Sequence, residues 1–275
     1  MHQKIGVAAA GAAIALAAVA GCSATKAATK SATNIVLSPL AALQTALTTA
    51  NNHNTVKVTG STTTSGVTVQ LNGSMQFSPL ALSMSINSSG GATGALTMSE
   101  IYDGTNFYLQ DSQLSMMDGG KPWAKFSLSS LGAAGSSLQS LLNAAKNETP
   151  TSSLEPLLAS GDVKSLGTET VAGVQATHYS GTLTAAQVES LAPSQGLTAA
   201  QVQEIKTTMQ QSGMTSETID VWIGSNNLPV QEKAVVTTAS GTADTTMQFT
   251  DWGAPVSITA PPADQVGDLD MPTTS

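Results

Sequence analysis

Apolar and polar residues alternate along much of the segment between Thr55 and Phe126. Apolar residues take every second position over Val67–Phe77, interrupted only at Gly73, and again over Leu80–Ile86. Side chains of a β-strand point alternately to its two faces, so this period is typical of strands with one buried face. The segment therefore predicts an antiparallel sheet with one apolar face.

The dipeptide Asn72-Gly73 interrupts this alternation and is by itself a hairpin signal. A two-residue turn there would place apolar side chains opposite polar ones and mix the two faces of the sheet. We therefore expect one long strand over Val67–Phe77 that curves at Gly73. The turn that follows this strand is expected at Ser78-Pro79.

Further strands are predicted from the same alternation and from flanking turn residues. They cover Ala95–Tyr102, Thr105–Gln110 and Trp123–Phe126, a pair within Thr170–Leu183, and a closing meander of Thr215–Ile223, Leu228–Thr238 and Thr242–Trp252. Without strand–helix–strand alternation, these elements favour an antiparallel α+β domain over a parallel sheet.

Helices are predicted before these strands and between them. The first begins at Ser38-Pro39, an N-cap followed by a proline at the first helical position. Two short copies, Leu183–Val188 and Leu197–Val202, each carry the capping-box pattern, and the second helix is expected to run to about Ser212. Apolar stripes indicate two more helices, at Leu138, Leu141, Leu142 and Ala145 and at Leu154, Leu157 and Leu158.

The N-terminus has the pattern of a secretory signal that ends at the sole cysteine of the sequence. Lys4 precedes an apolar run over residues 5–20, which is too short for a comfortable membrane span. The run closes on Val19-Ala20-Gly21-Cys22, which resembles the bacterial lipobox, in which cleavage leaves a lipidated cysteine as the new N-terminus. The alternative is an ordinary signal peptide with a chance cysteine.

This reading divides the chain into four parts. We expect a lipoprotein signal peptide over residues 1–21, a flexible tether with lipidated Cys22 over 22–34, a single domain over 35–262 and a loose acidic tail over 263–275. Attachment to the membrane is expected through the acyl chains, because the net charge of −8 gives no basic patch for anionic headgroups.

The composition argues against several classes of function. Arginine is absent, and the acidic balance excludes the positive footprint that nucleic-acid binding requires. Only His53 and His178 remain after the signal, and no zinc, nucleophile-elbow or phosphate-loop motif occurs. We therefore predict a protein that is not an enzyme and that uses no metal or other cofactor.

Three later segments, in this order behind the lipobox, resemble the actinobacterial LppX/LprAFG lipoproteins. They read Val-Ala-Gly-Val-Gln-Ala-Thr-His-Tyr-Ser-Gly-Thr-Leu at 171–183, Val221-Trp-Ile-Gly224 leading to Leu228-Pro-Val230, and Phe249-Thr-Asp-Trp-Gly-Ala-Pro-Val256 leading to Ile258 and Pro261-Pro262. The resemblance implies a LolA/LolB-like fold, in which a curved antiparallel sheet forms an unclosed barrel covered by several helices. It also implies a hollow that shelters lipid acyl chains.

These observations lead to the hypothesis of a membrane-anchored lipid carrier on the extracytoplasmic face of the cell membrane. The expected ligand is an acyl lipid, the chain is expected to be a monomer, and a membrane-protein partner is left open. An envelope sensor or interaction module and a structural surface lipoprotein are the alternatives. Inward parity alone selects six candidate cavity residues: Leu71, Met84, Ile86, Met98, Val221 and Ile223.

Overall fold

Twelve strands join into one sheet within the described part of the chain. The structure is a computed structural model that describes residues 38–90, 95–111, 120–126, 154–191 and 199–268. The strands are β1 (Thr55–Thr64), β2 (Val67–Phe77), β3 (Leu80–Ser89), β4 (Leu96–Tyr102), β5 (Phe107–Asp111), β6 (Trp123–Phe126), β7 (Lys164–Val171), β8 (Val174–Thr184), β9 (Ser216–Gly224), β10 (Pro229–Thr238), β11 (Gly241–Thr250) and β12 (Val266–Asp268). The helices in these ranges are α1 (Pro39–Asn51), α2 (Leu154–Ala159), α3 (Ala185–Leu191) and α4 (Ala199–Ser212).

The sheet is open, because the strands at its two ends are not neighbours. Its order is β12-β6-β5-β4-β3-β2-β1-β11-β10-β9-β8-β7. Neighbouring strands are antiparallel except for β12 and β6, which run parallel. Strongly twisted sheets with more than about ten strands curl rather than stay flat. The predicted α+β class with an unclosed, mainly antiparallel sheet is confirmed.

The strand register sorts the side chains onto two faces. We call the face against which α1 and α2 pack the inner face, and the opposite one the outer face. On the inner face, Gly60 pairs with Leu71, Leu71 with Ile86, and Ile86 with Met98. The outer face of the same strands carries mainly serine, threonine, asparagine and glutamine. One apolar face therefore continues across strands that lie far apart in sequence.

Gly73 lies in β2 at a point where β3 packs closely against it. A Cβ atom at this position would overlap the carbonyl oxygen of Ser83 and the Sδ of Met84. The strand continues through Gly73 as one element, as the unbroken parity of β2 predicts, and the turn falls at Ser78-Pro79. Gly73 therefore allows the backbones of β2 and β3 to approach each other, whereas a side chain at this position would push them apart.

The main core lies where α1 and α2 pack on the inner face of β8 and β9. Leu43 of α1 and Leu157 of α2 are each 0% exposed and contact the same cluster as Val221. The first helix begins as predicted, with the Ser38 Oγ accepting a hydrogen bond from the Ala41 N–H at 3.2 Å. Helix α1 buries Ala42, Leu43, Ala46 and Ala50 and leaves Leu40 exposed.

The capping box predicted for the first duplicated segment is present at the start of α3. The Thr184 Oγ1 accepts a hydrogen bond from the Gln187 N–H at 3.3 Å, and the Gln187 Oε1 accepts one from the Thr184 N–H at 2.9 Å. The predicted N-cap of the second copy lies outside the described residues. Its helix α4 ends at Ser212, as expected, before Gly213 with a φ of 63°.

The C-terminal segment differs from the expected loose tail over 263–275. Residues Ala263–Gln265 form a 3₁₀ turn, and Val266–Asp268 pair in parallel with β6. The open edge of β6 offers backbone hydrogen bonds to this short segment despite its polar composition. Residues 269–275 lie outside the described part of the chain, as do the signal, the tether, Cys22 and the predicted helix at Leu138–Ala145.

One other element refines the prediction. Strand β7 begins at Lys164 rather than near Thr170 and contains an irregularity between Ser165 and Gly167. Within the described ranges, the helices are too short or too polar to cross a membrane.

Candidate lipid-binding face

The six residues selected by inward parity all lie on the inner face. Leu71, Ile86 and Met98 are consecutive neighbours across β2, β3 and β4, and Met84 occupies the adjacent row beside Gly73. Val221 of β9 pairs with Glu232 of β10, and the register places it on the inner face as well. Ile223 lies two residues further along β9, on the same face.

The helices divide these residues into two groups. Val221 and Ile223 are 0% and 5% exposed, because α1 and α2 cover them in the main core. Leu71, Met84, Ile86 and Met98 are half-buried. Side chains already packed under helices have no surface left for a ligand, so β2–β4 carry the remaining candidate surface.

Two further apolar residues extend this surface and were not selected from the sequence. Leu109 of β5 pairs with Glu100, which pairs in turn with Met84. Met247 of β11 pairs with Gly60, and a Cβ at Gly60 would meet the Met247 Sδ. Alternation within β5 and β11 was the signal that could have found them. We call Leu71, Met84, Ile86, Met98, Leu109 and Met247 the apolar floor.

The composition of the apolar floor suits a ligand without fixed shape. Three of its six members are methionines, whose unbranched thioether side chains adapt to irregular apolar surfaces. The Sδ atoms of Met84 and Met247 lie over Gly73 and Gly60, where the absence of a Cβ leaves room for them. The floor therefore combines glycines that leave space with side chains that can repack.

An aromatic cluster borders the apolar floor on the side of β3–β6. Tyr102 and Phe107 stack with ring centroids 4.6 Å apart, and both pack against Leu80. The Tyr102 hydroxyl donates a hydrogen bond to the Gly104 carbonyl at 2.9 Å. This cluster is closed packing, in contrast to the half-buried floor beside it.

Glu100 is the polar exception on this part of the inner face. Its register partners are Met84 and Leu109, so its carboxyl group lies among apolar side chains. Burial raises the pKa of Glu100 above the usual 4.5, because desolvation penalises the carboxylate. The sequence did not single out this residue, since one acid in an alternating strand is no motif.

The substitution Glu100→Gln is expected to stabilise the fold at neutral pH. The pKa of Glu100 is higher in the folded state than in the unfolded state. The protonated carboxyl group is therefore fully compatible with the fold below about pH 4, and the fold loses stability as the pH rises through the folded-state pKa of Glu100. Thermal unfolding followed by circular dichroism between pH 4 and pH 8 should show the variant's advantage growing with pH. Asp264→Asn, an exposed change of the same charge, is the control. An advantage that is equal at all pH values would contradict this account.

His178 lies in a cluster of side chains on the outer face. Its ring stacks on Trp222 with centroids 4.2 Å apart, and its Nδ1 and Nε2 lie 3.1 Å and 2.9 Å from Glu169 Oε1 and Asp220 Oδ1. The Trp222 indole N–H donates to the same Glu169 oxygen. The cluster links β7, β8 and β9, and among the described residues no group of three or more acids, histidines and cysteines could hold a metal ion.

Comparison with known proteins gives relatives in Streptomyces. No protein-family model matches the chain. An uncharacterised 31.2 kDa protein of Streptomyces griseus is 29% identical over an alignment of 247 residues that covers 84% of this chain and 79% of that protein. A predicted lipoprotein of Streptomyces coelicolor is 26% identical over 173 residues, covering 59% of this chain and 50% of that protein.

Two solved mycobacterial structures are also similar to the chain. Lipoprotein LppX of Mycobacterium tuberculosis is 18% identical with a TM-score of 0.48, covering 80% of this chain and 98% of that one. LprF of Mycobacterium bovis is 15% identical with a TM-score of 0.49, covering 81% and 96%. The chain is similar to actinobacterial lipoproteins of the LppX/LprAFG type. This is the family that the sequence segments resemble, while the fold itself is defined by the strand register above.

Proposed function

We propose that the protein is a lipid-anchored lipoprotein that shelters the acyl chains of a lipid on its apolar floor and carries that lipid in the cell envelope. The observation that carries the proposal is the apolar floor, an inner surface of β2–β5 and β11 that is only half-buried beside a core that is closed. A ligand that covers this apolar surface lowers the free energy, because it removes the surface from water.

The energy available from such a ligand is large. Burial contributes about 0.8 kcal/mol per methylene, so a 16-carbon chain transferred from water would gain about 12 kcal/mol. Exchange with water would therefore be slow, and loading and release would take place at a membrane or with a partner. This favours a carrier that remains anchored beside its source of lipid.

Glu100 supplies the polar contact on the floor. A carboxyl group among Met84 and Leu109 accepts or donates hydrogen bonds according to its protonation. It would contact a hydroxyl or ester group of the lipid next to the acyl chain. The absence of arginine from the sequence leaves recognition of a phosphate headgroup to lysine and backbone groups.

A titration with a fluorescent acyl lipid tests the proposal. The chain from Ser23 onward contains all the described residues and no lipidation cysteine. An NBD-labelled phospholipid added to this chain is expected to give saturable fluorescence that palmitate or unlabelled phospholipid displaces. Fluorescence that rises without saturation, or that no acyl competitor displaces, would overturn the proposal.

The anchor is tested separately by Cys22→Ser. The substitution is expected to abolish incorporation of labelled palmitate and to shift most of the protein out of the membrane fraction, because the acylated cysteine is the proposed attachment. Ser23→Ala, a neighbouring change that leaves the thiol, is the control and is expected to keep both the label and the membrane attachment. Equal labelling of the Cys22→Ser variant and the unchanged chain would contradict lipidation at this position.

A further inference from the structure

Two adjoining depressions occur on the outer face of the strands whose inner face carries the apolar floor. The first has a volume of about 430 Å³ and is lined by polar side chains of β1, β2, β3 and β11, including Thr59, Gln70, Asn87 and Gln248. The second has a volume of about 560 Å³ and includes Ser83, Ser85, Ser99 and Trp123. Asn72 lines both depressions, so they lie next to each other, and we call the two together the outer groove.

The polar groups of the outer groove are available to a ligand. Among the described residues, the side chains of Asn72, Ser83, Ser85 and Ser99 form no hydrogen bond. Asn87 uses only its Oδ1, which accepts from the Thr97 Oγ1 at 2.9 Å, so its Nδ2 donor remains open toward the groove. Hydroxyl and amide groups both donate and accept, so the groove presents both halves of a hydrogen-bond network.

The outer groove presents little net charge in a protein of net charge −8. Two charged residues border it, Lys57 and Glu100. The Lys57 Nζ lies 2.7 Å from the Asp251 Oδ2 and is neutralised by it, and the register directs the Glu100 side chain to the inner face. A phosphate or another strongly charged ligand therefore finds no complementary charge, which favours a neutral ligand.

Trp123 gives one end of the outer groove an aromatic surface. It is half-buried, and its neighbour Ala124 is 2% exposed on the inner face, so the indole lies on the outer side of β6. An indole offers a flat apolar surface with a polar edge. A pyranose ring has the matching chemistry, with C–H groups on its faces and hydroxyl groups around its rim.

An extended peptide fits this surface less well. Strands β1–β4 each have a neighbour on both sides, so their backbone groups are already paired and cannot add another strand. We propose that the outer groove binds a neutral oligosaccharide, with Trp123 stacking on one sugar ring and Asn72 and the neighbouring serines bonding to hydroxyl groups.

A nuclear magnetic resonance titration of the chain from Ser23 onward tests this site. Cellotetraose, maltotetraose and chitotetraose are added separately at millimolar concentration to ¹⁵N-labelled protein. At least one of them is expected to cause saturable shifts of the Trp123 indole signal and of the β2 and β3 amides. No saturable shift with any of the three sugars, or shifts confined to other surfaces, would overturn the proposal.

Three variants then locate the binding, using the sugar that gives the largest shift. Trp123→Ala is expected to raise the dissociation constant about tenfold, and Trp123→Phe to retain most of the affinity, because the ring provides the contact. Asn72→Ala, an exposed change, is expected to raise it about fivefold. Leu166→Ala on β7, where the side chain is 59% exposed, is the control and should change nothing. Unchanged affinity in both Trp123→Ala and Asn72→Ala would contradict the assignment.

The outer groove and the apolar floor lie on opposite faces of the same strands. Failure of the sugar titration leaves binding of the fluorescent lipid untouched, and failure of the lipid titration leaves the sugar shifts untouched. The two outcomes are therefore distinguishable in the same protein preparation.

Discussion

Substitution of Gly73 by valine is expected to lower the free energy of unfolding by about 3 kcal/mol, at the upper end of the usual cost of overpacking. The reason is that the new Cβ would overlap the carbonyl oxygen of Ser83, a backbone atom that cannot rotate away. For a domain of this size the loss corresponds to a fall in melting temperature of roughly 6–12 °C. Thermal and urea unfolding followed by circular dichroism measure it.

Thr68→Val is the matched control for this prediction. It introduces the same side chain into the same strand, on the outer face, where Thr68 makes one hydrogen bond of 3.2 Å with Thr63. Such a surface change is expected to alter the free energy of unfolding by at most about 0.5 kcal/mol. Equal effects of Gly73→Val and Thr68→Val would contradict the close approach of the Ser83 backbone to Gly73.

The substitution Ile86→Asn is expected to weaken binding of an acyl lipid by about tenfold, with little effect on folding. Ile86 lies between Leu71 and Met98 in the middle of the apolar floor. A ligand chain over this position would bury the new amide without hydrogen-bond partners, at a cost of about 1–3 kcal/mol. The titration with NBD-labelled phospholipid measures the change directly.

Val235→Asn provides the control on the opposite face of the sheet. Val235 is also β-branched and half-buried in the interior of a long strand, but its register partners, Thr218 and Asp244, place it on the outer face. This variant is expected to bind lipid like the unchanged protein. A loss of binding in Val235→Asn as large as that in Ile86→Asn would show that the loss reflects general destabilisation rather than contact with the lipid.

Local patterns in the sequence were sufficient to predict most of the strands and the faces of their side chains. Parity alone decided that Val67–Phe77 is one strand rather than a hairpin, because a turn at Asn72-Gly73 would have mixed the faces. The same parity placed all six candidate residues on the inner face. Side-chain direction in a strand depends only on the count of residues, so these predictions needed no knowledge of distant contacts.

What covers each part of the inner face could not be predicted in the same way. Val221 is buried by Leu43 and Leu157, which come from helices more than 60 residues earlier in the sequence. Alternation shows that a side chain points inward, but not whether a helix packs over it. The division between a closed core and a half-buried floor therefore required the tertiary structure.

Two other features depend on long-range pairing. The strand Val266–Asp268 forms because β6 has an open edge, and nothing in so short and polar a segment indicates it. Glu100 gains its unusual environment from Met84 and Leu109 on neighbouring strands. In both cases the partner, rather than the segment itself, determines the outcome.

Native mass spectrometry of the protein purified gently from its own host tests the central claim most directly. We expect a population whose mass exceeds that of the processed chain by one acyl lipid, identifiable after extraction, and a strong reduction of this population in Ile86→Asn but not in Val235→Asn. A protein free of lipid in every preparation, which also failed to take up the labelled phospholipid, would contradict the claim that the apolar floor shelters acyl chains.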